Sequence, residues 1–263
     1  MDSLEFHRTR YAEEFVFDEL RWSRIRPCLR MMQDEQRKRG RKLNVLDVGC
    51  GDGTVSRLFL EVGKVFGVDI VPEFVARAIE KDIEAKTADV IQDGLPFSDS
   101  EMDVIYAGAF IEHLYDPEFF LRECHRVLTD TGILILSTPN IASLTSRLRM
   151  LFGQGPKFYT SALGWEFGGH IRIFTSRTLT QLLAENGFAV EEMTANVVSF
   201  IPTRLTRRPW SVTLGKLMPG LGEVLIVKAR NGSLRSQRER ENESSYHRPD
   251  GCPKSSSSGG PGS

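Results

Sequence analysis

The ten residues from Val45 to Thr54, VLDVGCGDGT, constrain this chain more than any other stretch. A short apolar run passes through an acid, Asp47, and three glycines, Gly49, Gly51 and Gly53, then alternate with other residues. Glycine lets a backbone take positive φ and come close to a ligand where a side chain would intrude. A tight strand-to-helix turn needs one glycine. Three in alternation behind an acid imply a ligand lying against the backbone. In an open α/β sheet, ligands sit beyond the carboxyl ends of the strands. LNVLDVG accordingly reads as a buried strand, and Thr54 to Glu61 as the helix that follows, with Val55, Leu58 and Phe59 facing the core.

The same alternation continues along the chain. KVFGVDI reads as a second strand, and Pro72 opens a helix through Glu80, since proline suits a first turn. EAKTADV is a short third strand, and MDVIYAGA a fourth, after the turn PFSDSE. PEFFLRECHRVL is a helix, and Thr131-Gly132 a turn into the fifth strand, ILILSTP. SRTLTQLLAENGF is a helix with Ser176 as candidate N-cap and Gly187 as stop. AVEEMTANVV and GEVLIVKAR are two further strands with no helix between them, so antiparallel pairing is expected there. Strands alternating with helices predict an α/β fold, a Rossmann-like doubly wound sheet that is mostly parallel and covered on both faces. Ahead of it, Phe15, Leu20, Trp22 and Ile25 have helical spacing, giving one or two helices before Gly40 with Pro27 as a break or a start. The expected organisation is an N-terminal helical segment (1–42), one domain (43–230) and a disordered tail rich in Ser, Gly and Pro (231–263).

With 40% hydrophobic and 26% charged residues among 263, the chain can bury one sizeable core. A formal net charge of −1 supplies no global field for nucleic acid. The stretch Arg21 to Lys42 is locally basic, with only Asp34 and Glu35 opposing nine cations. It reads first as a solvated helix face, and second as a contact for an anionic partner or membrane surface. MDSLEFHRTR has no apolar core of a signal peptide, and no apolar run approaches the roughly 20 residues of a membrane span. Cys28, Cys50, Cys124 and Cys252 lack metal-ligand spacing, so reduced thiols in a cytoplasmic protein are expected, with neither a zinc site nor disulfides.

The identity of the ligand turns on spacing. The dinucleotide fingerprint G-x-G-x-x-G would put its third glycine at Thr54, whereas here it falls at Gly53. Asp69 ends the second strand, where it can accept hydrogen bonds from both hydroxyls of a ribose; that feature suits NAD and S-adenosylmethionine alike. Taken together, VLDVGCGDGT, VFGVDI, TADV with LPFSDSEMDVIYAGAFIEHLYDP, CHRVLTDTGILILSTPN and HIRIFTSRTLTQLLAENGF resemble the successive motifs of class I S-adenosylmethionine-dependent methyltransferases. The likeness covers roughly residues 43–190 and is greatest to the small-molecule branch that includes quinone-biosynthesis and sugar or polyketide O-methyltransferases. It implies a seven-stranded sheet with an antiparallel last strand and S-adenosyl-L-methionine as cofactor. It further implies that Asp47, Gly49, Gly51 and Gly53 line the methionyl part, that Asp69 holds the ribose, and that Ile70 packs near the adenine. Asp89 would face the adenine amine with Val90 beside it, Asp89 being also a candidate loop cap. Ala107 and Gly108 would pass close to the sulfonium, or be small only for packing.

Methyl transfer to a hydroxyl needs an aligned nucleophile and a group to take its proton. His113, in FIEHL at the rim of the fourth strand, and His170, in GGHIRIFT, are the two candidates, with Glu112, Tyr115 and Tyr159 behind them. Glu112 and His113 as a metal pair have no third ligand nearby in sequence, so no metal is expected. Two segments exceed a minimal fold: 141–170, read as a substrate lid, and 199–222, read as a dimer contact, a second lid wall or an interfacial membrane patch. The expected partner is a small-molecule acceptor: a sugar, polyketide, quinone precursor or lipid-linked compound. A nicotinamide oxidoreductase is disfavoured by the glycine spacing. A nucleic-acid methyltransferase is disfavoured because AGAFIEHL lacks the Asn/Asp-Pro-Pro-aromatic motif, and a non-catalytic module by the intact glycines and Asp69.

Overall fold

The computed structural model describes residues 19–157, 170–199 and 209–232. All but the first two residues of the expected tail, together with Tyr159, Phe15 and much of both insertions, lie outside them. Helix α1 (Glu19–Arg39) comes first, then β1 (Leu43–Val48), a 3-10 turn (Ser56–Glu61), β2 (Gly63–Asp69), α2 (Pro72–Ile79) and β3 (Glu84–Thr87). The second half runs β4 (Met102–Gly108), a 3-10 turn (Ile111–His113), α3 (Pro117–Val127), β5 (Leu128–Pro139), α4 (Leu144–Leu151), α5 (Ser176–Glu185), β6 (Phe188–Ala195), α6 (Pro209–Leu217), a 3-10 turn (Pro219–Leu221) and β7 (Val224–Asn231).

The seven strands form one sheet in the order β3-β2-β1-β4-β5-β7-β6. β1 to β5 are parallel, while β7 runs antiparallel to both β5 and β6; the antiparallel pairing is as expected, but a helix not expected from the sequence, α6, lies between β6 and β7. Alternation along β1 sends Leu43 and Val45 to one face and Leu46 and Val48 to the other. The first face packs on α1 through Cys28, Met31 and Met32, and on Phe59 and Ala78. The second packs on α3 and α5 through Phe120, Leu121, Cys124, Leu179 and Leu183. The chain leaves β3 at one edge and re-enters at β4 on the other side of β1. The carboxyl ends of β1 and β4 therefore flank the switch point where such sheets bind ligands.

Five local expectations change. Pro27 neither breaks nor starts a helix; α1 runs through it. Ile25, Met31 and Met32 are each at least 95% buried, and at about 1.5–3 kcal/mol apiece they exceed the about 3 kcal/mol cost of a mid-helix proline. The segment after the glycines is a 3-10 turn rather than an α-helix. Thr131-Gly132 is no turn: β5 already begins at Leu128, and its register with β4 jumps from Met102↔Leu128 to Val104↔Ile133, so residues 129–132 bulge out. Thr175, not Ser176, caps α5, in a reciprocal box with Thr178. At the C-terminus, β7 includes Asn231, and Gly232 donates its N–H to Gly187 O at 2.9 Å, so ordered chain extends two residues beyond the expected boundary.

The basic stretch is largely engaged within the fold. Arg39 pairs with Glu35 (3.0 Å) and Asp103 (2.7 Å), and Arg41 with Asp103 (2.6 Å). Arg30 pairs with Glu192 and Arg37 with Asp34. Glu35 also accepts from Lys228 (3.1 Å) and Arg230 (3.0 Å) on β7, which ties α1 to the sheet. Burial would raise the Glu35 carboxyl, but hydrogen bonds from Arg230, Arg39 and Lys228 outweigh it and hold it down at about 2. A folded-state value below the unfolded one means this stabilisation is complete above about pH 4.5 and is lost as pH falls toward 2. Glu35→Ala leaves Lys228 buried without this partner. We expect it to cost about 3–5 kcal/mol in urea unfolding at neutral pH, with the gap to the parent protein narrowing below pH 4.5. A gap that is constant with pH would contradict the assignment.

Candidate active site

The glycine segment is folded back over the end of β2. Gly49, Gly51 and Gly53 all have positive φ, at 73°, 53° and 77°. Gly49 and Cys50 donate their N–H groups to Val68 O at 2.8 and 3.1 Å. Gly51 donates to Asp69 Oδ2 at 2.8 Å, and Val71 N–H to Asp69 Oδ1 at 3.0 Å. Each Asp69 oxygen thus takes one of these backbone N–H groups. Lys81 reaches back from behind α2 to Asp52 Oδ2 at 2.6 Å and anchors the loop's far side. The glycines differ in what surrounds them. A Cβ on Gly53 would stand 2.9 Å from Ala78 Cα, and one on Gly49 2.9 Å from the Phe110 ring. A Cβ on Gly51 would meet nothing within 4 Å. Gly53 is needed for packing onto α2, whereas Gly51 borders open space.

Asp47 lies beneath this loop, 3% exposed, and accepts from Ser56 Oγ at 2.6 Å. Burial pushes its carboxyl up to about 7, with the nearby Asp69 charge adding to the rise and the Ser56 hydroxyl opposing it. Ile70 is half-buried and Val90 buried. Asp89 caps its own turn: Oδ1 accepts from Ile91 N–H at 3.0 Å and Oδ2 from Gln92 Nε2 at 3.0 Å. Ala107 is fully buried in the core, and Gly108 is the last residue of β4, where a Cβ would stand 2.1 Å from the Tyr106 hydroxyl. Packing therefore accounts for the small residues at both positions. Ala109 then takes φ 54° and turns the chain into the 3-10 segment.

That segment carries Glu112 and His113, and the fold brings His170 to them. Ile171 and Arg172 both donate their N–H groups to Glu112 O at 3.0 Å, and Arg172 donates Nε to Leu114 O at 3.3 Å. The rings of His113 and His170 lie 5.0 Å apart, inclined at 57°. Glu112 is 1% exposed; Thr138 Oγ1, from the end of β5, donates to its Oε2 at 3.0 Å, and no hydrogen bond reaches Oε1. Burial pushes this carboxyl up to about 7. Tyr115 points outward, 79% exposed. Sequence reasoning did not single out Ser56, Phe110, Thr138 or Arg172. Thr138 and Phe110 were in principle accessible, since one lies at the carboxyl end of a central strand and the other just beyond one.

The beginning of the 141–170 insertion is α4, capped by Ser143, whose hydroxyl accepts from Ser146 N–H. Its inner side is polar as well as apolar: Thr145 donates to buried Glu223 at 3.1 Å and Lys157 pairs with the same carboxylate. Leu144 and Leu148 are half-buried, while Met150, Leu151 and Phe152 are exposed. In the 199–222 insertion, α6 leaves Val212, Leu217 and Met218 exposed. No helix among the described residues is long and apolar enough to cross a membrane. Cys28, Cys50 and Cys124 are buried free thiols, and burial raises Cys28 to about 12.

Comparison with known proteins identifies the family. Residues 15–193 match the family described as methyltransferase domain. A probable S-adenosylmethionine-dependent methyltransferase of Mycolicibacterium smegmatis is 32% identical over 152 residues, 57% of this chain and 53% of that one. The human mitochondrial ubiquinone biosynthesis O-methyltransferase is 27% identical over 164 residues, 57% of this chain and 42% of that one. Among solved structures, a Burkholderia thailandensis 1,6-didemethyltoxoflavin-N1-methyltransferase with bound S-adenosylhomocysteine superposes at a TM-score of 0.54 and 18% identity, covering 88% of this chain and 84% of that one. The chain spans about half the length of the curated relatives it matches. The chain belongs to the methyltransferase-domain family, in its class I, S-adenosylmethionine-dependent form.

The contrast between the glycines is measurable. Gly53→Ala adds a backbone clash to left-handed strain, together about 2–5 kcal/mol, whereas Gly51→Ala adds only the strain, about 1–2 kcal/mol. We expect denaturant unfolding to rank Gly53→Ala well below Gly51→Ala in stability; equal losses would deny the contact with Ala78.

Proposed function

We propose that this protein transfers a methyl group from S-adenosyl-L-methionine to a hydroxyl of a small-molecule acceptor. The observation that carries the donor half is the Asp69 carboxylate at the end of β2, bonded to Gly51 N–H beside a glycine with open space around it. A cradle of backbone with positive φ, one face clear and one carboxylate at its edge, suits an adenosyl ligand. On this reading Gly49, Gly51 and Gly53 line the methionyl part, Asp69 takes the ribose hydroxyls, and Ile70 and Val90 flank the adenine. Asp89, whose side-chain oxygens cap a turn, would face the adenine amine with the acceptor capacity that remains. Asp47 acts through the loop it underlies, whereas Ala107 and Gly108, whose size packing explains, are given no contact with the cofactor.

When bound, the cofactor supplies a methyl carbon already activated by a positive sulfur, and the chain's own task is to align and deprotonate the nucleophile. The His113–His170 pair stands at the carboxyl edge of the sheet next to β4 and is the centre assigned to that task. A hydroxyl acceptor is favoured because two neighbouring imidazoles answer the need for a group that takes its proton, and the O-methyltransferase among the relatives points the same way. A quinone precursor, polyketide, sugar or lipid-linked compound fits. The 141–170 insertion serves as a lid, and the exposed Leu151, Phe152, Leu217 and Met218 offer contacts for an apolar acceptor, a membrane surface or a second copy of the chain. With Arg30, Arg37, Arg39 and Arg41 engaged by carboxylates, nucleic acid is disfavoured as substrate. A cytoplasmic location accords with buried, unpaired thiols.

Calorimetry with S-adenosylhomocysteine tests the donor half. Asp69→Ala is expected to weaken binding by about ten- to a hundredfold, the worth of one charged hydrogen bond; binding of NAD with no response to S-adenosylhomocysteine would end the proposal. The acceptor half is tested by incubating metabolite extracts with labelled S-adenosylmethionine. His113→Ala and His170→Ala should each slow labelling by about 10²–10⁴-fold with S-adenosylhomocysteine affinity retained, and undiminished labelling in both would remove the histidine pair from the reaction.

A further inference from the structure

Sequence spacing offers Glu112 and His113 no third metal ligand nearby; folding supplies one. Among the described residues, Glu112, His113 and His170 bring a carboxylate oxygen and two imidazole nitrogens within 4.8 Å of one another. A first-row divalent ion bound at about 2.0–2.2 Å holds tetrahedral ligand atoms about 3.3 Å apart. Side-chain rotation on ion binding has to close the remaining distance.

Three further features mark this as a built site rather than a chance meeting. First, Glu112 is 1% exposed, and one of its oxygens, Oε1, has no hydrogen-bond partner. A buried carboxylate oxygen left unsatisfied is costly, and a cation removes that cost. Second, the other oxygen is held by Thr138 at 3.0 Å, which orients the carboxylate as outer partners orient metal ligands. Third, the 170–172 segment is fastened to the 3-10 turn by two backbone hydrogen bonds to Glu112 O and by the Arg172 side chain on the carbonyls of Leu114 and Tyr115. His170 is thereby fixed opposite His113 by the backbone of the very residue that supplies the third ligand.

We propose that Glu112, His113 and His170 bind one divalent transition-metal ion of the zinc class. Two imidazoles and one carboxylate are a donor set that suits borderline-soft ions over magnesium or calcium, which prefer all-oxygen shells. Three protein ligands leave a fourth position open, the arrangement of catalytic rather than structural sites. Its ligand there is an oxygen of the acceptor; coordination lowers the hydroxyl's pKa so that its proton passes to solvent water, and with the ion bound the two histidines serve as ligands and no longer as the base. The inference rests on the acceptor reading above and sharpens it: acceptors with two adjacent oxygens, able to chelate, are favoured.

The test uses the full chain, stripped with chelator and titrated with Zn²⁺ and with Co²⁺, whose visible absorption reports its ligands. The parent protein should take up one equivalent of either ion, and His113→Ala, His170→Ala and Glu112→Gln should each weaken uptake at least about tenfold. S-adenosylhomocysteine binding, measured on the same samples, should stay within about twofold of the parent value and shows that each variant is folded. Absence of saturable uptake by parent protein that binds S-adenosylhomocysteine overturns the metal site and leaves the donor proposal standing. Uptake undiminished in the folded His170→Ala and His113→Ala variants overturns it equally. Failure of S-adenosylhomocysteine to bind metal-loaded parent protein counts against the donor proposal alone.

Discussion

The hydrogen bond from Gly51 N–H to Asp69 Oδ2 joins the ends of two neighbouring parallel strands, and the candidate donor site depends on it. β1 and β2 pair in register from Leu43↔Gly63 to Val48↔Val68. Beyond that ladder the glycine loop has no strand partner of its own. Val68 O takes two of its N–H groups and Asp69 takes a third, so the loop continues the sheet by other means. Only left-handed backbone can bend sharply enough to do this, and at Gly53 even one methyl group would strike α2. The acid at the end of β2 therefore has a structural duty whatever it binds. Asp69 and the glycines form one unit, which is why a sequence spaced in this way tolerates few alternatives.

The acceptor side is assembled on a different principle. Its parts come from three places: the turn after β4, the end of β5, and the segment before α5. The carbonyl of Glu112 receives two N–H groups from the last of these, while its side chain receives Thr138 from the second. One residue thus organises the neighbourhood with both its backbone and its carboxylate. Burying that carboxylate with one oxygen unpaired is expensive, and residues retained at such expense commonly serve a site rather than the core.

The strand–helix alternation, the antiparallel final pair and the glycine loop were legible in the sequence because each has a short-range signature: apolar runs, proline at first turns, and glycine at fixed spacing. The errors share a cause in tertiary packing. Pro27 predicts a break, but the burial of Ile25, Met31 and Met32 against the sheet carries the helix through it. Thr131-Gly132 reads as a turn, but pairing with Met102 draws Leu128 into the strand and leaves a bulge. Asp89 has the residue type of either a ligand contact or a cap, and only hydrogen-bond partners reveal the cap. The meeting of His113 with His170 has no local signature at all. Contacts between distant segments follow from topology, and no spacing rule announces them.

The basic segment shows how misleading composition can be when topology is unknown. Nine cations against two acids between Arg21 and Lys42 look like a surface for a polyanion. In the fold, Arg39 and Arg41 converge on Asp103, an acid 2% exposed at the start of β4, and Glu35 gathers Lys228 and Arg230 from β7. Asp103 and Glu192, which oppose Arg39, Arg41 and Arg30, lie outside the counted segment. α1 is thus fastened across the sheet from β4 to β7, on the face opposite α3 and α5. Anchoring of this kind stiffens the strands whose carboxyl ends carry the candidate site. A basic run therefore argues for an anionic partner only after the acids that the fold brings to it have been subtracted.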